Sequence, residues 1–105
     1  MAIREFKNKR IKEIIKNIAD DFRYSQEKDE YALLFYKADS DGMISGEQID
    51  KMLEYVTTGL KELSKNIEWR EDFLKDNTDI DKIKMIKNMK IIEEEYTELK
   101  EFLKK

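Results

Sequence analysis

The sequence predicts an all-α fold, a small antiparallel bundle of four helices. Three observations lead to this prediction: apolar residues recur at steps of three and four, charged residues make up 43% of the chain, and proline is absent. Strand-rich domains need turn residues every few positions, whereas long helices with solvated faces tolerate many charges. At 105 residues, the chain is expected to form a single helical domain, residues 1–105, with a thin core.

The first two helices are predicted over residues 3–22 and 26–38. Lysines and arginines separate the apolar positions of the first helix, which are Ile3, Phe6, Ile11, Ile14, Ile15, Ile18 and Phe22. This spacing is typical of an amphipathic helix. Ser25 is expected to cap the second helix through its hydroxyl. The apolar face of the second helix consists of Tyr31, Leu34, Phe35 and Ala38.

A third helix is predicted over residues 46–75. Ser45 and Gln48 form the S-x-x-Q pattern of a capping box at its start. Its apolar seam alternates steps of four and three and contains Ile49, Leu53, Val56, Leu60, Leu63, Ile67 and Leu74. Gly59 interrupts the helix, because glycine costs about 1 kcal/mol relative to alanine in a helix interior. We therefore expect a bend or a close helix contact at Gly59.

A fourth helix is predicted over residues 79–104, with Thr78 or Asp79 as its cap. Its seam contains Met85, Met89, Ile92, Tyr96, Leu99 and Leu103. Two long helices joined by a short loop should lie antiparallel, as a coiled-coil-like hairpin. The two shorter helices are expected to lie end to end along this hairpin as a broken third column.

The residues that are missing from the sequence exclude most familiar active sites. Without cysteine there is no thiolate nucleophile, and without histidine the commonest acid–base group near neutral pH is lost. We therefore expect a protein that is not an enzyme and that binds no cofactor. The chain has neither the apolar run of roughly 20 residues that a membrane helix needs nor the apolar core of a signal peptide. A cytoplasmic location is expected.

The stretch YKADSDGMISGEQIDKML, residues 36–53, resembles the loop of an EF-hand calcium site. If Gly42 is the turn glycine, the first and last ligand positions fall on Lys37 and Gln48. If Asp39 is instead the first ligand, Met43 occupies a ligand position. Neither alignment provides the full set of oxygen ligands that calcium needs. An ordinary turn followed by a helix cap is therefore favoured over a cation site. The carboxylates that would hold a cation are Asp39, Asp41 and Glu47.

Basic residues are concentrated near the N-terminus. Residues 1–16 carry six basic and two acidic side chains, and the basic patch predicted there consists of Arg4, Lys9, Arg10 and Lys12. Such a helix could contact the phosphates of a nucleic acid. The net charge of −3 and the absence of a helix-turn-helix signature favour a solvated helix face instead.

Acidic residues form a second patch, and the last helix has two halves of opposite charge. The acidic patch consists of Asp20, Asp21, Glu27, Asp29 and Glu30. It could dock on a basic partner, although ordinary solvation is the simpler interpretation. In the last helix, Lys82, Lys84, Lys87 and Lys90 precede Glu93, Glu94, Glu95, Glu98 and Glu101. In an antiparallel second copy, the basic half of one last helix would lie against the acidic half of the other. This favours a homodimer through the long helices, with packing of the last helix against the third helix of the same chain as the alternative.

Trp69 and Phe73 lie beside the seam of the third helix, and this position favours core packing over an exposed interface anchor. The function predicted from these observations is non-enzymatic binding of another protein, as an inhibitor or immunity-type protein or as a scaffold. The frequent Ile, Lys and Asn suggest a low-GC bacterium or one of its phages. Two alternatives stay open: a nucleic-acid-associated protein using the basic patch, and a calcium-responsive module using residues 39–50.

Overall fold

The computed structural model describes residues 3–76 and 79–105, and it confirms the all-α class. Side chains are described for all of these residues except Ile3, Arg4 and Asp76. The described helices are α1 (Lys9–Tyr24), α2 (Glu30–Asp41), α3 (Gly46–Asp76) and α4 (Ile80–Lys104). Two short strands, β1 (Ile3–Glu5) and β2 (Met43–Ser45), form an antiparallel pair beside them.

The predicted start of the first helix at residue 3 is wrong, because the chain enters as a strand. β1 and β2 pair in the register Ile3↔Ser45, Arg4↔Ile44 and Glu5↔Met43. The Phe6 N–H continues this pairing by donating to the Gly42 carbonyl at 2.8 Å, and the Phe6 ring is buried in the core. The helix begins only after Asn8, whose side chain accepts the Arg10 N–H at 2.8 Å.

The second helix begins later than predicted, and Ser25 is not its cap. Ser25 instead closes α1, because its N–H donates to the Asp21 carbonyl at 3.1 Å. Gln26 then adopts a left-handed φ of 57°, which ends the helical path. The cap of α2 is Asp29, whose side chain accepts the Ala32 N–H at 2.8 Å.

The segment between the second and third helices is more regular than the predicted loop. α2 continues through Asp41 and ends at Gly42, whose φ of 71° favours glycine. The predicted pairing of Ser45 with Gln48 is confirmed, since the Ser45 N–H donates to the Gln48 side chain at 3.3 Å. Asp79 caps α4 as predicted, and Thr78 lies outside the described residues.

The long helices α3 and α4 pack against each other as the predicted hairpin. The main core lies at one end of this hairpin, where α1, α2 and β2 pack on it. The hairpin residues in or beside this core come from residues 49–56 and 96–103. The largest fully buried side chains are those of Phe6, Ile14, Ile15, Phe35, Met52, Val56 and Leu99. Burial of each of these side chains contributes roughly 1.5–3 kcal/mol to the free energy of folding.

The two short helices do not form the predicted broken column. They lie side by side, with the Phe22 and Phe35 rings 5.9 Å apart and Arg23 bound to Asp39 at 2.9 Å. Because they are paired, they cover only the half of the hairpin that contains the main core. We call residues 60–76 and 79–92 the distal half; Ile67 and Ile86 are buried there.

The distal half gives the molecule an elongated shape. Its principal extents are 52 × 28 × 24 Å, and its radius of gyration is 15.2 Å. A compact domain of about 100 residues would have a radius of gyration near 13 Å. Within the described residues, one end is therefore built from all four helices, and the other end from α3 and α4 alone.

Gly59 makes the close helix contact that was expected from the sequence. A Cβ atom at this position would lie 2.7 Å from Cε2 of Tyr96, closer than van der Waals contact allows. The absence of a side chain thus lets the Tyr96 ring lie directly on α3. This contact fixes the distance between the long helices next to the main core.

We expect Gly59→Ala to lower the free energy of unfolding by about 1 kcal/mol, because the methyl group displaces the Tyr96 ring. By helix propensity alone, the substitution would stabilise the protein by about 1 kcal/mol. Denaturant unfolding of the purified variant and of the wild-type protein measures the sign of the change in the free energy of unfolding.

The exposed neighbour Thr58 provides the control. Thr58→Ala changes helix propensity without meeting Tyr96 and should be neutral or slightly stabilising. A stabilising Gly59→Ala would contradict the tight contact.

Candidate interaction surface

One side of the distal half exposes large apolar side chains. Trp69 is 63% exposed, Phe73 37% and Met85 46%. Met89 and Ile92 are half-buried and continue from Met85 at helical spacing, so they lie on the same side of α4. We call Trp69, Phe73, Met85, Met89 and Ile92 the open face. The interpretation that favoured Trp69 as a core residue is wrong, because the short helices end before they reach it.

The open face continues the surface on which α1 and α2 pack. On α4, the spacing that joins Met85, Met89 and Ile92 leads on to Tyr96. Tyr96 lies 6.1 Å from Tyr55 between ring centroids, and Tyr55 in turn packs on rings of α1 and α2. The hairpin thus has one apolar side, of which one end is covered and the other is not.

Two cations hold the aromatic rings of the open face in place. The Arg70 guanidinium lies 5.6 Å from the Trp69 ring centroid, and its Nε donates to Sδ of Met85 at 3.2 Å. The Lys82 ammonium lies 3.5 Å from the Phe73 ring centroid. Cation–π contacts at exposed positions each stabilise a structure by roughly 0.5–1 kcal/mol. They leave positive charge at the far end of the open face.

Negative charge lies at the other end of the open face. A cleft of about 350 Å³ opens where the α1–α2 connection meets the hairpin. Asp21, Glu27 and Asp29 line it, together with the rings of Tyr55 and Tyr96. We call Asp21, Glu27 and Asp29 the acidic notch. The two cations that contact its rings, Arg70 and Lys82, therefore lie at one end of the open face, which we call the cationic end, and the acidic notch lies at the other.

The phenols of Tyr55 and Tyr96 titrate above their ordinary range. Their hydroxyl oxygens lie 3.4 Å apart. Burial is the largest cause that raises the pKa of each phenol, and the nearby Asp21 carboxylate raises both further. A phenolate would be poorly solvated there and repelled by the carboxylates of the notch, so ionisation of both phenols is disfavoured.

The three residues of the candidate calcium site lie in two different helices. Asp39 and Asp41 belong to the last turn of α2, whereas Glu47 belongs to the first turn of α3. Asp39 binds Arg23, so its charge already has a cationic partner. Within residues 3–76 and 79–105, no cluster of three or more acidic side chains is arranged to hold a metal ion.

The structure divides the acidic patch between two roles. Asp20 pairs with Arg23 at 2.7 Å, and Glu30 forms an ion pair with Lys51 of α3. The other members, Asp21, Glu27 and Asp29, line the acidic notch. Asp20 and Glu30 are therefore paired within the molecule, whereas Asp21 and Glu27 line the cleft together with Asp29, which also caps α2.

The basic patch is divided as well. Arg10 binds Glu98 of α4 through two nitrogens, at 2.8 and 2.9 Å, and this hydrogen bonding raises the pKa of its guanidinium. Lys9 and Lys12 line a groove of about 440 Å³ whose other wall includes Asp39 and Asp41. The side chain of Arg4 lies outside the described residues.

Internal contacts use part of the acidic half of α4. Besides the Arg10–Glu98 pair, Glu95 accepts from the Asn17 amide at 3.5 Å, and Glu93 accepts from the Ser64 hydroxyl at 3.1 Å. The basic helix α1 thus lies against the acidic half of α4. This packing gives the charge segregation of both helices a structural role.

None of the helices in the described part of the chain is long and apolar enough to cross a bilayer. Comparisons with protein-family models, with curated proteins and with solved structures found no match. The chemistry of the open face and of its two charged ends is therefore the guide to function.

Sequence reasoning named the acidic residues that line the notch but missed the open face. The apolar spacing of α3 and α4 is the same in the covered and the uncovered halves, so it gives no sign of where the cover ends. Helix lengths show it only once the two short helices are known to lie side by side. Two paired helices of 16 and 12 residues cannot span a hairpin with arms of 31 and 25 residues.

The raised pKa values predict a loss of stability at high pH. The unfolded chain ionises its tyrosines near pH 10, whereas folding raises the pKa of Tyr55 and of Tyr96. Their contribution is therefore complete below about pH 10, and it is lost as the pH rises from there through the folded-state pKa of each tyrosine, at up to about 1.4 kcal/mol per pH unit for each. Tyr96→Phe should flatten the decline in unfolding free energy, measured in denaturant at a series of pH values.

The control is Tyr24→Phe, which removes the hydroxyl of a tyrosine that is 92% exposed. Each variant lacks one phenol, so the comparison isolates the environment of Tyr96. Equal declines for Tyr96→Phe and Tyr24→Phe would refute a special environment at Tyr96.

Proposed function

We propose that the protein is a non-enzymatic protein-interaction module whose binding surface is the open face. The supporting observation is the exposure of Trp69, Phe73 and Met85 on a surface that elsewhere forms the core. Tryptophan, other aromatics and methionine are enriched at the centres of protein interfaces. Leaving these side chains in water forgoes the free energy that a bound partner would recover.

The arrangement of the open face also fits a binding role. Its two rings already contact Arg70 and Lys82, so part of the side-chain freedom that binding would cost is restricted beforehand. Ordered charge at both ends would select the orientation of the partner. This combination favours a specific partner over a general apolar adhesive surface.

The proposal extends to the setting in which the protein acts. It works in the cytoplasm of a low-GC bacterium or of a phage host, as an inhibitor or immunity-type protein or as a scaffold. Self-association through the long helices belongs to the same proposal. The divided basic patch, with Arg10 bound to Glu98, makes nucleic-acid binding the less favoured function.

We expect Trp69→Glu to abolish partner capture. A carboxylate at the centre of the interface would be desolvated without a partner, so capture should fall by at least about tenfold. The measurement is crosslinking of the tagged protein in the cells that encode it, read by mass spectrometry. Parallel samples receive chelator or nuclease.

Ile91→Glu is the matched control, because Ile91 is 53% exposed on α4 but lies outside the open face. It places the same charge on the same hairpin and should leave capture unchanged. Equal capture by both variants would contradict binding through the open face. Loss of the partner only under nuclease or chelator would favour the nucleic-acid or the calcium alternative, and turnover of a small molecule by the pure protein would refute the non-enzymatic role.

A further inference from the structure

We propose that the open face is occupied by a second copy of this chain, packed antiparallel about a two-fold axis so that the cationic end of each open face meets the acidic notch of the other. This inference rests on the proposed function and names its partner. The two distal halves would then form a four-helix bundle. Each copy would supply the cover that α1 and α2 of the other copy fail to provide.

The charges of the open face are self-complementary in this arrangement. Arg70 and Lys82 lie at one end, over the rings that they hold. Asp21 and Glu27 lie at the other end, where they line the notch. An antiparallel two-fold axis exchanges these ends, so both contacts between the copies join opposite charges. A parallel arrangement would instead place cation on cation and carboxylate on carboxylate.

The lengths of the helices are compatible with this register. From Tyr96 to Lys82, α4 rises about 21 Å, and from Tyr55 to Phe73, α3 rises about 27 Å. The two-fold axis would pass near Met89, halfway along the face. Methionine adapts its shape readily, which suits a position that packs against its own copy.

The size of the open face sets the expected strength of association. Two helices side by side, each about 10 Å wide, over a length of about 20 Å give a footprint on the order of 400 Å² per copy. This is small compared with the roughly 800 Å² per partner of standard interfaces. We therefore expect a reversible dimer that dissociates on dilution, strengthened at low salt by its two charged contacts.

Charge-reversal variants test this geometry. The tip variant carries Arg70→Glu and Lys82→Glu, and the notch variant carries Asp21→Lys and Glu27→Lys. Each variant alone would place like charges at both contacts, so its dimerisation should weaken by at least about tenfold. In an equimolar mixture, every tip meets a notch of opposite charge, so heterodimers should form about as well as the wild-type dimer. Sedimentation equilibrium over a concentration series measures all four samples.

Asp29 is left unchanged in the notch variant because it caps α2. Circular dichroism of each variant verifies its fold, and Ile91→Glu serves again as a charged control outside the open face. If a charge-reversal variant fails to fold, two measurements still test the proposed dimer. They are the salt dependence of wild-type dimerisation and the loss of the dimer in Trp69→Glu.

Three results would overturn the proposed dimer. They are a wild-type protein that stays monomeric at all concentrations, a dimer that Trp69→Glu does not affect, and charge-reversed variants that do not recover when mixed. These results would remove self-association from the proposed function but not binding of a different protein through the open face, because that capture is measured separately.

Discussion

The architecture depends on one mismatch in length. At 1.5 Å per residue, the long arms α3 and α4 measure about 46 and 38 Å, whereas α1 and α2 measure about 24 and 18 Å. The short helices pack on each other as well as on the hairpin, so their lengths do not add. One half of the hairpin gains a four-helix core, and the other half keeps an apolar side that no element of the described chain covers.

The charges of the molecule follow the same division. Where α1 covers the hairpin, basic and acidic helix faces meet, as in the pairing of Arg10 with Glu98. Exposed ion pairs of this kind add little to stability, but they orient one helix on another. Where the cover ends, the charges border the open face, with Arg70 and Lys82 at one end and the acidic notch at the other. Charge therefore positions elements inside the molecule and is available to position a partner outside it.

Local signals in the sequence predicted the local features well. The capping box at Ser45, the Asp79 cap and the close contact at Gly59 depend on neighbouring residues or on a single helix pair. The strand pairing of residues 3–5 was missed because three residues carry almost no periodicity and their partners lie 40 residues away. The exposure of Trp69 was missed for a similar reason, since it is decided by where α1 and α2 end and not by the pattern of α3.

Trp69 is the single tryptophan of the chain, so its intrinsic fluorescence reports directly on the open face. The most direct measurement is the emission spectrum of the wild-type protein over a dilution series. An open face that is covered by a second copy predicts emission typical of a solvated indole in dilute protein, moving to shorter wavelength as the concentration rises. An emission maximum that is constant across the series, or already that of a buried indole at high dilution, would contradict it.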